Sequence, residues 1–266
     1  MISIVTTYFN RRSQFINTLR SLEISKVKDF EVIAVDDCSD EDQRIDDLEN
    51  RFSFLKTHRI QKENKWYNNP CIPFNIGFSL SRGDQIIIQN AECLHYSDIL
   101  ARTQENLDSN KYLSFATFSI DKSETQKINN YPKIQDCIAS FRFDDIKITA
   151  DGVNAWYNHG VHRPCAYHFC SAITRQNLIQ LNGFDELYAA GIAYDDDEFL
   201  HRIKLKNLKI IFENQNLAVH QHHPSFYYNK QGGVGLIEKN KNIYKNLTQR
   251  CLSYRVNDHS IFKNDK

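Results

Sequence analysis

The stretch Phe30-Glu31-Val32-Ile33-Ala34-Val35, followed at once by Asp36-Asp37-Cys38-Ser39-Asp40, decides the fold class. A short apolar run rich in β-branched residues that stops in an acidic turn reads as a buried strand whose carboxyl end meets solvent. Ser39 and Asp40 are good helix N-caps, so a turn leading to a cap is the plain structural alternative for Asp36 and Asp37. Upstream, Ile2 to Thr7 is another apolar run, and Phe15, Leu19 and Leu22 follow at helical spacing. Downstream come an acidic helix candidate over Glu41 to Arg51, a strand near Leu55 to Ile60, and a loop holding Asn68-Asn69-Pro70. A helix over Pro73 to Ser81 then ends at Gly83, and Asp84 to Gln89 is a fourth strand. Such alternation predicts an α/β fold: a mostly parallel, Rossmann-like sheet flanked by helices. Ligands of open α/β sheets bind beyond the carboxyl ends of the strands. Polar residues after strands one, two and four should therefore share one crevice.

Composition narrows the function. Formal net charge is zero, so nothing favours a nucleic-acid backbone as partner. The seven cysteines form no C-x-x-C pair, which points to reduced thiols rather than a disulfide framework or zinc ribbon. No apolar run is long enough to span a bilayer and no leader is evident, so a cytoplasmic protein is expected, touching the membrane's inner face at most transiently. With no linker, repeat or low-complexity tract, residues 1–266 read as one domain.

Beyond residue 118 the pattern loosens. Tyr112 to Phe118 reads as a strand, Asp121 to Asp151 is polar, and Thr174 to Leu181 is a short helix. Aromatic and histidine-rich segments, Trp156-Tyr157-Asn158-His159 and Tyr167-His168-Phe169-Cys170, suit stacking on a sugar or base, with core packing as the alternative. Gly183-Phe184-Asp185-Glu186 leads through Ala189-Ala190-Gly191, a candidate loop hinge, to the acids Asp195 to Glu198 at a helix start. Unpaired N–H groups there favour anions and would keep a carboxylate ionised near neutral pH, as a general base requires. In the same run Glu198 and Arg202 stand at pairing distance. Leu208 to Phe212 reads as a strand, Leu217-Ala218-Val219 leads to His220-Gln221-His222-His223, and Ile237 to Leu252 reads as a terminal helix. Imidazoles at a strand end are candidate metal ligands.

The ordered set Val5-Thr6-Thr7-Tyr8-Phe9-Asn10-Arg11, Val35-Asp36-Asp37, Asn75-Ile76-Gly77, Gly83-Asp84, Asn90-Ala91-Glu92, Gly183-Phe184-Asp185-Glu186 and Asp195-Asp196 resembles family 2 glycosyltransferases of the GT-A fold. Tyr194 to Pro224 is also similar to the catalytic half of chondroitin-polymerase-like and β-1,4-galactosyltransferase-like enzymes. The resemblance implies a nucleotide-sugar-binding half (1–118) and a less regular acceptor-binding and catalytic half (119–266). By the same resemblance, Thr6 and Tyr8 line the nucleotide pocket, Asp37 holds the uracil edge with Asp36 nearby, and Asn90 faces the ribose or sugar. Glu92, last in the place of the Asp-x-Asp motif, would ligate Mn²⁺ or Mg²⁺ with His220, leaving His222 and His223 as second choices. Asp196 is the expected base, Asp195 an acceptor contact, and Trp156 and His168 further acceptor-side residues.

Two motifs depart from the family pattern. The metal motif has Asn90 in place of its first carboxylate and Glu92 in place of its last Asp, and Phe74 replaces the Arg before Asn-x-Gly, a diphosphate contact that Arg82, Lys65 or Arg163 would have to supply. The implied activity is inverting, metal-dependent transfer of a sugar from a UDP-sugar to a saccharide or lipid-linked saccharide, in surface-glycan synthesis. A catalytically silent nucleotide- or glycan-binding module is the alternative from another class. A nucleotidyltransferase is disfavoured because Thr6 to Arg12 holds no glycine for a phosphate loop.

Overall fold

The computed structural model describes residues 1–141, 155–224, 232–248 and 253–262. In chain order they form β1 (Ile2–Tyr8), α1 (Arg12–Glu23), β2 (Phe30–Asp36), β3 (Leu55–Arg59), α2 (Cys71–Leu80), β4 (Gln85–Asn90), β5 (Cys93–His95) and α3 (Ile99–Asn106). The second half adds β6 (Lys111–Ser119), α4 (Lys122–Ile128), α5 (Ile134–Ser140), β7 (Ala155–Asn158), β8 (Cys170–Thr174), α6 (Arg175–Leu181), α7 (Asp195–Leu205), β9 (Lys209–His220) and α8 (Gly233–Thr248). All nine strands join one sheet in the order β3-β2-β1-β4-β8-β6-β9-β5, with β7 pairing on β6. Pairing is parallel for β1 with β2 and β4, β2 with β3, and β6 with β9. The short strands β5, β7 and β8 pair antiparallel.

Side-chain alternation splits the core between the sheet faces. Ile2, Ile4 and Tyr8 of β1 pack with Phe15, Leu19 and Leu22 of α1. Val5, on the opposite face, packs with Phe74 and Phe78 of α2 and with Phe199 and Ile203 of α7. Burying each such side chain stabilises the fold by about 1.5–3 kcal/mol. A third cluster joins Phe118, Trp156 and Val219 to Ile128 and Ile138 of the small helices.

Three expectations change. Glu41 to Arg51 forms two short 3₁₀ turns, Glu41–Gln43 and Asp46–Asn50, instead of one helix. Ile45 and Leu48 stand three apart and both are buried, a spacing that suits the eclipsed 3₁₀ geometry. Lys209 to Phe212 and Leu217 to Val219 belong to a single strand, with Leu208 just before it, because the register against β6 skips between Glu213 and Leu217 and leaves the polar residues between them unpaired with β6. The terminal helix starts earlier, at Gly233; residues 249–252 of the expected helix, and the polar stretch past residue 141, lie outside the described residues.

Candidate active site

Register brings the polar strand ends together. Tyr8 is paired with Asp36, Thr7 with Asn90, and Cys93, next to Glu92, with His220. Gln89 pairs with Cys170, which draws the His168–Phe169 segment to the same end of the sheet. The polar carboxyl ends of β1, β2 and β4 thus meet at one end of the sheet, where the alternation of strands and helices put them, and β9 brings His220 to the same end.

On the β1–β2 side, Thr6 and Tyr8 are buried. Tyr8 packs on Phe15 with ring centroids 5.5 Å apart, donates its hydroxyl to the Gln43 carbonyl at 2.5 Å and accepts from the Arg11 N–H at 3.2 Å. Burial pushes its phenol up to about 12, so it stays protonated. Asp36 accepts from the Ser39 N–H at 2.8 Å and from Arg59 Nη1 at 2.7 Å, closing the turn. Asp37 accepts from Lys65 Nζ and the Tyr67 hydroxyl, both at 2.6 Å, and keeps partial exposure. Asn90 is half-buried and donates its backbone N–H to the Phe169 carbonyl at 3.1 Å.

Glu92 is 1 % exposed. Its Oε1 stands 3.0 Å from His220 Nε2 and 3.2 Å from His223 Nε2, while Oε2 accepts from Arg11 Nη1 at 2.7 Å. Burial alone would raise this carboxyl; the Arg11 charge and the two imidazole contacts instead hold it well below the usual range. Burial lowers the His220 imidazole further than Glu92 raises it, which favours the neutral, ligating form. Gln221 fixes the arrangement, donating both its backbone N–H and its side-chain amide to the Glu92 carbonyl. The ligand atoms of Glu92, His220 and His223 lie within 4.8 Å of one another. One carboxylate oxygen and two imidazoles fit a divalent ion such as Mn²⁺.

The second group sits at the start of α7. Ala193 and Tyr194 both take left-handed backbone conformations, φ 59° and 67°, a strained bend that sets the direction of the first helical turn. Asp195 is buried and accepts from Asn69 Nδ2 at 3.0 Å; burial and the adjacent Asp196 charge push it up to about 6. Asp196 is 30 % exposed, and its Oδ1 lies 2.6 Å from His168 Nδ1. Asp197 accepts from the Tyr167 hydroxyl at 2.7 Å. Glu198 forms the expected i, i+4 pair with Arg202, bidentate at 2.6 and 2.7 Å and buried, so it serves the fold. His168, Asp195 and Asp196 also hold ligand atoms within 4.8 Å of one another, with His168 Nδ1 already facing Asp196.

A family model described as glycosyl transferase family 2 matches residues 3–173, more than half of the chain. The protein belongs to glycosyl transferase family 2. No curated protein matches this glycosyltransferase by sequence. Among solved structures, Staphylococcus aureus TarS 1-349 in complex with UDP-GlcNAc is similar at 15% identity and TM-score 0.60, over 86% of this chain and 61% of that one. The mannosyltransferase PcManGT from Pyrobaculum calidifontis, in complex with GDP-Man and Mn²⁺, is similar at 14% identity and TM-score 0.55, over 86% and 59%. GalNAc-T7 with UDP, GalNAc and Mn²⁺ is similar at 13% identity and TM-score 0.57, over 93% and 48%. The shared feature is the fold, and the chain spans about three fifths of the TarS 1-349 length.

Several residues of this family 2 glycosyltransferase take places that its sequence did not reveal. His223, rather than His222, joins His220 at Glu92; His222 uses its backbone N–H on Thr125 Oγ1 at 2.8 Å. Nothing in the sequence marks Arg11 and Asn69 within their segments, yet each holds a carboxylate of the candidate site. Of the cations considered in place of the missing Arg, Arg82 pairs with Glu31 at the amino ends of the strands, away from the crevice. Lys65 is on Asp37, and Arg163 lies 5.9 Å from the Tyr157 ring, which itself stands 4.6 Å from His220. Trp156 is buried edge-on against Phe118. Ala189-Ala190-Gly191 is pinned, not hinged: the Ala189 carbonyl accepts from Asn68 and Asn69, and the Ala190 carbonyl from Asn68 Nδ2.

Among the described residues no helix is long and apolar enough to cross a membrane.

Proposed function

We propose that the protein is an inverting, metal-dependent glycosyltransferase that moves a sugar from a UDP-sugar to a saccharide hydroxyl, with Asp196 as general base. The observation that carries this reading is that two dissimilar groups are drawn to one end of the sheet, where Asn90 pairs with Phe169 next to His168. A buried Glu92–His220–His223 cluster fit for a cation stands at one strand end, and a partly exposed carboxylate stands at the start of α7. A silent binding module would have no use for both.

The roles divide as follows. Asp37 takes the uracil edge, Thr6 and Tyr8 shape the pocket floor with Asp36, and Asn90 meets the ribose or sugar. Glu92, His220 and His223 would hold a divalent ion, whose charge offsets that developing on the departing diphosphate. Asp196 draws the proton from the attacking hydroxyl, which makes a poor nucleophile competent. Asp195 borders the acceptor, as do the segments carrying His168 and Trp156. A saccharide or lipid-linked saccharide destined for a surface glycan is the acceptor class this reading favours, met at the cytoplasmic side of a membrane.

The test is a nucleotide-release assay with UDP-glucose, UDP-galactose and their N-acetylated forms, in Mn²⁺, with and without oligosaccharide acceptors. Acceptor-dependent UDP release is expected, and Asp196→Asn should lower it by about 10²- to 10⁴-fold while UDP binding persists. UDP release that survives Asp196→Asn undiminished would remove Asp196 from the base role.

A further inference from the structure

We propose that His168 is the positioning residue of the base, turning Asp196 so that Oδ2 alone takes the acceptor proton; this rests on the reading of Asp196 as base. Asp196 Oδ1 accepts from the His168 backbone N–H at 3.1 Å, and His168 Nδ1 stands 2.6 Å from the same oxygen as its ion-pair partner. Among the described residues that one hydrogen bond and that one ion pair, both at Oδ1, are all that hold the Asp196 side chain, so Oδ2 is the oxygen left for a substrate. In the transfer step the hydroxyl oxygen bonds to the anomeric carbon as the bond from that carbon to the diphosphate oxygen breaks. The diphosphate leaves with that electron pair, and the hydroxyl proton passes to Asp196 Oδ2.

His168 is itself held by the core. Its ring, 5 % exposed, meets Phe74 edge-on at 5.1 Å and Phe184 at 4.9 Å, and both phenyl rings are buried. Phe184 is fixed in turn by Asn75, which accepts the Phe184 N–H at 2.8 Å and donates to its carbonyl at 2.9 Å. The Asn75-x-Gly77 segment, the Gly183-Phe184 turn and Phe74, which stands where the family pattern leads one to expect Arg, thus form a rigid chain ending at Asp196. Burial would lower the His168 imidazole, yet the charges of Asp196 and Asp195 raise it on balance, which favours a proton on Nδ1. A carboxylate free to rotate between its two oxygens would lose this alignment, and misplacement of about 1 Å typically costs about 10²-fold in rate.

The experiment compares His168→Ala, His168→Asn and His168→Gln on the full chain. Asn places an amide nitrogen at the δ position that Nδ1 occupies, whereas Gln places it one bond farther out. With whichever UDP-sugar and acceptor the wild type turns over, His168→Ala should lose kcat by about 10²-fold with donor KM within about two-fold, and His168→Asn, but not His168→Gln, should recover most of the loss. A second readout needs no turnover. In protein labelled with ¹⁵N-histidine, a downfield Nδ1–H resonance of His168 should be present in the wild type and in Asp195→Asn and lost in Asp196→Ala. Wild-type kcat in His168→Ala, equal losses in all three variants, or absence of that resonance would each overturn the proposal. Undiminished transfer by Asp196→Asn would instead sink the base reading beneath it.

Discussion

Asp195 and Asp196 are neighbours in the chain with opposite surroundings. The Asp195 carboxyl is buried against Asn69 and lifted from 3.8 to about 6, whereas Asp196 keeps an exposed edge. A carboxyl raised in the folded state holds its proton more tightly there than in the unfolded chain. Its contribution to stability is complete below pH 3.8 and lost as pH rises through about 6. Asp195→Asn keeps the oxygen that Asn69 contacts and removes the buried charge. It should therefore melt higher than the wild type at neutral pH, by about 1–3 kcal/mol, with a gain that shrinks as the pH approaches 4. Melting curves across that range decide it; a pH-independent gain would mean that Asp195 does not titrate as its burial implies. At this scale the sequence was legible in kind and not in partner. Four acids at a helix start announce an anionic site and the i, i+4 spacing already gives Glu198 to Arg202, but only the three-dimensional neighbours separate buried Asp195 from partly exposed Asp196. His223 was hidden for the same reason: three imidazoles in four residues look alike until the turn after β9 points one of them at Glu92.

At the scale of elements, the segment before α7 is fixed by α8. Asn240 of that helix, buried, donates Nδ2 to the Tyr188 carbonyl at 3.0 Å and the Ala193 carbonyl at 2.8 Å. A Cβ at Gly191 would stand 2.0 Å from Asn240 Oδ1, so the glycine there permits close approach and is not a hinge. Gly191→Ala should destabilise the protein by about 1–3 kcal/mol, and adding Asn240→Ala should remove the steric part of that penalty. Strictly additive losses in thermal melts would show that the two do not touch. Small residues in sequence announce either freedom or crowding, and the pattern Ala-Ala-Gly does not say which. Gly183 was easier to read: its φ of +70° is a conformation that favours glycine, and Asn75 packs on it. Strands β1, β2 and β4 were legible to within a residue, because burial on both faces gives each a run of consecutive apolar residues, such as Val32 to Val35 and Ile86 to Ile88. The antiparallel strands β5, β7 and β8 were not, since three to five residues carry too little pattern to distinguish strand from loop.

On the scale of the whole molecule, the two halves of the chain share one sheet and one cation cluster. Glu92 follows β4, while His220 and His223 arrive with β9, whose antiparallel pairing with β5 sets Cys93 opposite His220. If the cluster holds the donor's metal as proposed, donor binding needs both halves folded together, and the metal and the nucleotide should bind as a linked pair. The most direct measurement is calorimetric titration of the whole protein with UDP, then GDP, in Mn²⁺ and again in EDTA, for wild type, Glu92→Ala, His223→Ala and His222→Ala. UDP binding should weaken in EDTA and in the Glu92 and His223 variants, with His222→Ala behaving as wild type. Binding of equal strength in Mn²⁺ and EDTA that neither Glu92→Ala nor His223→Ala disturbs, or no binding of either nucleotide, would contradict it.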